Sequence, residues 1–145
     1  MTLQVHRVTL LNVQVQLESE HPVNVTLWII AGILAALFFM AGLMKATQPK
    51  EKLTANMPWV DDFSAGTVKL IGIVEILGAL GLILPAALHI APILTPLAAT
   101  GLAVTMLLAA AVHARRKESQ AIVVNVLLFA LAAFVAIMRL GPQSF

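Results

Sequence analysis

The sequence contains no cysteine among its 145 residues. This absence excludes disulfide exchange, thiolate nucleophiles, cysteine-ligated zinc and iron–sulfur clusters carried by the chain itself. Charge is also scarce, because 11% of the residues are charged while 60% are hydrophobic. A water-soluble globule needs more polar surface, and the mean hydropathy of +0.95 indicates a membrane protein instead. The net charge of +2 does not form a basic face with interleaved aromatics, so nucleic acid is not an expected partner.

Three nearly uncharged stretches are together long enough for four membrane spans. Val25–Met44 and Ala121–Met138 contain no formal charge, and Leu70–Ala114 contains only Glu75. A span needs about 20 apolar residues at about 1.5 Å each, so the middle stretch holds two spans separated by a proline-containing turn.

Short connections predict that the four helices run antiparallel to their neighbours. The predicted helices cover residues 25–46, 66–84, 92–113 and 119–140 of a membrane domain at 25–142. Ser64 is placed to cap the second helix, and Gly141 followed by Pro142 ends the fourth. The predicted fold class is therefore all-α, a transmembrane up-down four-helix bundle.

The first 24 residues differ from the rest of the chain. Residues Val13–Glu18 alternate apolar and polar side chains like a short strand, whereas a secretory signal has an unbroken apolar core. An isolated strand has nothing to pair with unless it docks on a partner or dimerises. We therefore expect residues 1–24 to form a disordered or loosely attached tail, and we expect Met1–Pro22 to be dispensable for insertion and folding.

The distribution of basic residues predicts the orientation of the bundle. One side carries Lys45, Lys50, Lys52, Lys69, Arg115, Arg116 and Lys117, and the other carries Arg7 and Arg139. Because Lys and Arg concentrate in cytoplasmic loops, we expect both basic loops in the cytoplasm and both termini outside.

Glu75 is the one acidic residue inside the predicted spans. Helical spacing places Gly72, Glu75, Ala79 and Leu82 on one face, and a carboxylate facing lipid costs several kcal/mol, so we expect this face to point into the bundle. Thr105 and Asn125 lie at comparable depth on the third and fourth helices, and Lys45 lies higher on the first helix with a side chain long enough to reach down. The candidate site consists of Glu75, Lys45, Asn125 and Thr105, with His113 at its mouth.

Two interpretations of this site remain open. In one, Glu75 exchanges protons with a bound small molecule such as a quinone, and Lys45 or His113 connects it to the cytoplasm. In the other, Glu75 is protonated or paired with Lys45 and fixes the helix register. No catalytic residue is predicted, because Glu75 has no second titratable group at equal depth. His89 and His113 lie roughly 36 Å apart along one helix, so they predict no metal site.

Six segments carry a resemblance to a known family. They are Gly42–Lys45, Gln48–Leu53, Met57–Ser64, Lys69–Gly72, Glu75–Pro85 and Pro92–Ala99. Together they resemble the DoxX-like family of small bacterial membrane proteins, over about Asn24 to Pro142. The resemblance implies four transmembrane helices in a bacterial inner membrane. It implies little chemistry, because some relatives are associated with quinone-linked sulfur oxidation or oxidative-stress complexes and most are uncharacterised. The tail before Val23 has no counterpart, as expected if an upstream start codon added it.

These observations predict a non-catalytic accessory or scaffold subunit that docks on a membrane protein partner or on a second copy, rather than an enzyme. The alternative is a redox-associated membrane protein that binds a quinone or another apolar ligand near Glu75. A small proton-coupled transporter is a distant alternative. Alternating access commonly uses internal repeats, and this chain has one acidic residue in its spans and no internal repeat. The sequence names no cofactor, ligand, partner or oligomeric state.

Overall fold

The computed structural model describes the backbone of residues 2–145 and the side chains of residues 4–15 and 22–145. Its helices are α1 (Thr2–Thr47), α2 (Lys50–Asn56), α3 (Ala65–Ala87), α4 (Leu94–Arg115) and α5 (Ser119–Leu140), with a 3-10 turn at Pro58–Asp62. No strand occurs in the described residues, so the predicted all-α class is confirmed.

Four helical segments are long and apolar enough to cross a membrane. They are Pro22–Thr47, Ala65–Ala87, Leu94–Arg115 and Ser119–Leu140. The shortest has 22 residues, which at about 1.5 Å per residue matches a hydrocarbon core of about 30 Å. The chain is therefore a multi-pass membrane protein, and the predicted number of spans is confirmed.

The ends of the spans follow local backbone chemistry. The Ser64 hydroxyl accepts a hydrogen bond from the Thr67 N–H at 3.1 Å, which is the predicted cap of α3. The α3–α4 reversal uses left-handed backbone at His89 and Ala91, and the α4–α5 turn uses it at Lys117. The Glu118 N–H then bonds back to the His113 carbonyl at 3.0 Å and closes the end of α4.

The N-terminal segment does not form the short strand that its alternation suggested, whereas its loose attachment to the bundle stays a prediction. Its backbone is helical and continuous with the first span across Pro22. The side chains of residues 4–15 are all exposed. No partner strand is present among the described residues, so only the helix can satisfy the backbone groups of this segment internally.

The four spanning helices form a closed ring in which α1 contacts α3, α3 contacts α4, α4 contacts α5 and α5 returns to α1. The expected inward face of α3 is confirmed, because Gly72, Glu75, Ala79 and Leu82 are all buried. Small residues close the α3–α4 contact, where a Cβ on Gly81 would lie 2.7 Å from that of Ala98. The bundle has a loop end, formed by residues 48–64 and 116–118, and an opposite end, formed by residues 88–93 and 141–145.

Candidate functional site

Two glycines bring α1 and α3 into backbone contact near the loop end. A Cβ on Gly42 would lie 2.6 Å from the carbonyl oxygen of Gly72, and a Cβ on Gly72 would lie 2.6 Å from that of Gly42. A side chain on either residue would therefore collide with the backbone of the other helix. Lys45 and Glu75 each follow their glycine by three residues, so one helical turn carries both side chains to the same region of the crossing.

Lys45 and Glu75 form a buried ion pair. Lys45 Nζ donates to both carboxylate oxygens, Oε1 and Oε2, at 2.7 Å each. The two residues are only 8% and 2% exposed. An unpaired charge at this depth would be expensive in lipid, whereas the pair carries no net charge and leaves neither Glu75 oxygen without a donor. The pair therefore ties α1 to α3 in one register.

The loop between α1 and α3 covers the ion pair. Lys45 Nζ lies 5.8 Å from the centroid of the Trp59 ring, a cation–π distance. Trp59 also packs edge-on against Phe63, with ring centroids 5.8 Å apart. Beneath them, Leu53 and Val60 are buried in a small apolar cluster that anchors the loop. The loop is thus a packed cap rather than a free connection.

A second polar network joins the α4–α5 turn to this cap. His113 Nδ1 and Glu118 Oε2 are 2.6 Å apart, and Arg116 Nε donates to Glu118 Oε1 at 2.8 Å. Arg116 Nη1 donates to Asp62 Oδ2 at 2.8 Å, which links the turn to the cap. Hydrogen bonds from Arg116 and then from His113 hold the pKa of the Glu118 carboxyl below its ordinary value. Bonds to Glu118 and Asp62 raise the pKa of Arg116.

A cavity of about 650 Å³ opens at the loop end between the cap and the start of α5. Its walls combine aromatic, hydrogen-bonding and apolar side chains. They are Asn56, Met57, Pro58, Trp59, His113, Glu118, Ser119, Gln120, Ala121, Val124 and Asn125. Trp59 stands between this cavity and the ion pair, because its ring contacts both Lys45 and His113, the latter at a centroid distance of 6.5 Å.

The residues of the predicted polar cluster fall into separate places. Glu75 and Lys45 meet in the ion pair, whereas His113 and Asn125 line the cavity. Thr105 and Asn125 each donate to a carbonyl oxygen one turn earlier in their own helix, those of Gly101 and Ala121. Equal depth was therefore not enough to join Thr105 and Asn125 to Glu75 by hydrogen bonds, because each finds a backbone acceptor locally.

The candidate site predicted from the sequence did not include Trp59, Asp62, Arg116 or Glu118. The Arg116–Asp62 contact joins residues 54 apart in sequence, and no local pattern announces it. Among the side chains that the structure describes, no group of three or more His, Asp or Glu is placed to hold a metal ion. The site therefore combines the charge-neutral Lys45–Glu75 ion pair, which we call the lock, with an amphipathic cavity beside it.

At the opposite end, Arg139 is a buried cation, although its sequence position indicated only a charge on the outer side of the membrane. Its guanidinium carbon lies 4.1 Å from the centroid of the Phe145 ring and 5.7 Å from that of Trp28. Its Nη1 donates to the carbonyl oxygen of Gln143 at 3.0 Å. The last residues of the chain therefore fold back over the end of α5.

Fold and composition together define a small helical membrane protein with four candidate spans. The chain belongs to the DoxX-like family, whose model matches residues 29–135. This match covers the lock, the cap and the cavity, and it confirms the resemblance drawn from the sequence. No curated protein and no solved structure matches the chain.

Proposed function

We propose that the protein is a non-catalytic accessory subunit that docks on and stabilises a membrane partner. The observation that carries this proposal is the bidentate Lys45–Glu75 ion pair. It engages the single acidic residue of the spans in a contact between helices, at 2.7 Å to both oxygens. A carboxylate held in this way serves helix register rather than proton exchange with a ligand.

The loop end is the surface that we assign to the partner. The buried Leu53 and Val60 hold its cap in place, and the Arg116–Asp62 bond adds a weak link to the α4–α5 turn. Exposed residues of positive and negative charge, including Lys52 and Asp61, lie on the surface of the cap. A pre-formed polar surface of mixed sign suits a specific protein partner, because little ordering entropy is lost on docking.

The test of the accessory role is a comparison of membrane proteomes. Deletion of the gene in the native host should lower the abundance of a specific membrane partner, and re-expression of the wild type should restore it. The double variant Lys45→Met with Glu75→Leu keeps the helix contact without its charges and should restore the partner equally. A folded double variant that fails to restore the partner, or a deletion that changes no membrane protein, would contradict the accessory role.

A second candidate function rests on the cavity at the loop end. Trp59 offers a stacking surface there, while His113 and Asn125 offer hydrogen-bonding groups. This combination suits a quinone or another flat, largely apolar ligand, placed beside the ion pair rather than on Glu75. In this account the Lys45 contact with Trp59 fixes the stacking surface.

Tryptophan fluorescence tests this second function. In a Trp28→Phe background Trp59 is the sole tryptophan, and a short-chain ubiquinone analogue should quench it with saturation. Replacing Asn125 with Leu should weaken that quenching. Non-saturating quenching that is equal in the Asn125→Leu variant would show that the analogue merely partitions into detergent.

The orientation and membrane of residence are also proposals. We infer that the protein resides in the inner membrane of the cell and that its loop end faces the cytoplasm. The support is the distribution of seven of the nine basic residues near that end.

A further inference from the structure

The positive charge of Arg139 is not explained by the positive-inside rule, because Arg139 lies at the end of the bundle opposite the basic loops. It is 6% exposed, and no carboxylate among the described side chains forms a salt bridge with it. Its planar face lies against Phe145, and one donor reaches the Gln143 carbonyl. Most of its N–H donors therefore have no hydrogen-bond acceptor within the described part of the protein. None of its nitrogens is both fully buried and unpaired, so these donors remain accessible to an anionic partner.

Thr95 lies at the same level of the bundle as Arg139. Helix α4 ends at Arg115 and α5 begins at Ser119, and the two helices are antiparallel neighbours. Thr95 precedes the end of α4 by as many residues as Arg139 follows the start of α5. Equal rise per residue therefore brings both to one layer near the opposite end.

Two buried polar atoms at this end also have no hydrogen-bond partner among the described residues. They are Thr95 Oγ1, on a residue only 1% exposed, and Asn24 Oδ1. Asn24 lies one helical turn before Trp28, whose ring faces the Arg139 guanidinium. Thr95 and Arg139 are both buried residues of the neighbouring helices α4 and α5 at one level of the bundle. Buried polar atoms are nearly always paired in native proteins, so an unpaired hydroxyl at the level of a cation without a carboxylate indicates a site for a ligand.

We propose that Arg139 and Thr95 bind an anionic phosphate group at the opposite end of the bundle. The edge of a guanidinium matches two phosphate oxygens in a bidentate contact, and the threonine hydroxyl donates to a third. Trp28 and Phe145 wall the guanidinium, which lowers its exposure to water and strengthens the contact. The phosphate belongs to a lipid headgroup or to free phosphate, and both present the same oxygens.

Thermal unfolding of the full-length protein in a neutral maltoside detergent tests this site. The probes are dihexanoyl phosphatidylglycerol and, separately, sodium phosphate, with chloride keeping the ionic strength constant. At least one probe should raise the unfolding temperature of the wild type with saturation. A response to the lipid alone identifies a headgroup site, and a response to both identifies a site for free phosphate.

Three variants assign the response to residues. Arg139→Gln should need about tenfold or more of the probe for the same shift, because it loses a charged bidentate contact. Thr95→Val has the same shape and removes the unpaired hydroxyl, so it should fold at least as stably without probe yet respond several-fold less. Thr95→Val keeps the test valid if Arg139→Gln does not fold. Arg7→Gln, which removes a charge from the exposed N-terminal segment, is the matched control and should respond like the wild type.

The proposal is overturned if neither probe shifts the wild type, or if Thr95→Val and Arg139→Gln respond like the wild type. These outcomes are independent of the accessory role, because the site lies at the end of the bundle away from the cap.

Discussion

At the scale of single residues, opposite charges are used in two different ways. Lys45 and Glu75 are enclosed between helices, so their pairing removes a charge problem that lipid would otherwise impose. Asp62, Arg116 and Glu118 remain in contact with water, and each bond there is screened and individually weak. The first pair fixes helix register, whereas the second group positions a turn.

The pH dependence of the second group follows from Glu118. Its pKa is lowered by Arg116 and His113, so its bonds contribute stability above the ordinary carboxyl value of 4.5 and lose it as pH falls through the lower folded-state value. We expect the unfolding temperature of the wild type to fall toward that of Glu118→Gln as the pH is lowered below 4.5. Thermal scans of both proteins in detergent, over a range of pH, measure this difference in unfolding temperature. Parallel pH curves for the two proteins would contradict the role of Glu118.

At the scale of helices, the crossing of α1 and α3 depends on the absence of side chains at Gly42 and Gly72. An added methyl on Gly42 would meet backbone oxygen at 2.6 Å, which cannot rotate away like a flexible side chain. We expect Gly42→Ala to lower the free energy of unfolding by about 1–3 kcal/mol through overpacking.

Gly32→Ala is the matched control on the same helix, because nothing lies within 4 Å of a Cβ at Gly32. It should be neutral or slightly stabilising, by up to about 1 kcal/mol from helix propensity. Unfolding in detergent compares the two variants. Equal effects of the two substitutions would show that the crossing is looser than the structure describes.

The N-terminal segment makes a contrasting element. The described side chains at 4–15 are all exposed, so removing residues 2–21 should leave the unfolding temperature unchanged within error. The span itself begins at Pro22 and stays intact. Thermal unfolding of the shortened protein measures this, and a large drop would mean that the segment stabilises the bundle.

Helical periodicity predicted some of these elements well, and its limits are equally clear. The inward face of α3 followed from Gly72, Glu75, Ala79 and Leu82, because the lipid penalty leaves one orientation for a carboxylate. The reach of a long lysine side chain from a higher position on the first helix also brought Lys45 and Glu75 into one candidate cluster. Depth does not give rotation, however, so Thr105 was grouped with Glu75 although its hydroxyl bonds to its own helix. The contacts of Trp59 depend on a loop shape set by distant residues.

At the scale of the whole molecule, the four spans fix how the two ends differ. The loop end carries the cap, the cavity and most basic residues, while the opposite end carries the tight α3–α4 reversal and Arg139. An even number of spans places both flanking segments on one side of the membrane. Orientation is therefore a single choice for the whole molecule.

Reporter fusions test that choice. A reporter joined after Lys117 should report a cytoplasmic location and one joined after Phe145 an external location, because Lys and Arg divide seven to two between the sides. A cytoplasmic signal from the Phe145 fusion would reverse the orientation while leaving the fold unchanged.

The central claim is that the Lys45–Glu75 pair locks the bundle, and a double-mutant cycle on the free energy of unfolding tests it most directly. Lys45→Met and Glu75→Leu should each destabilise the protein by about 3–5 kcal/mol, because each strands a buried charge. The double variant should recover most of that loss. Lys45→Met combined with Thr105→Val is the matched control and should be additive. Additive losses for Lys45→Met and Glu75→Leu would contradict the lock.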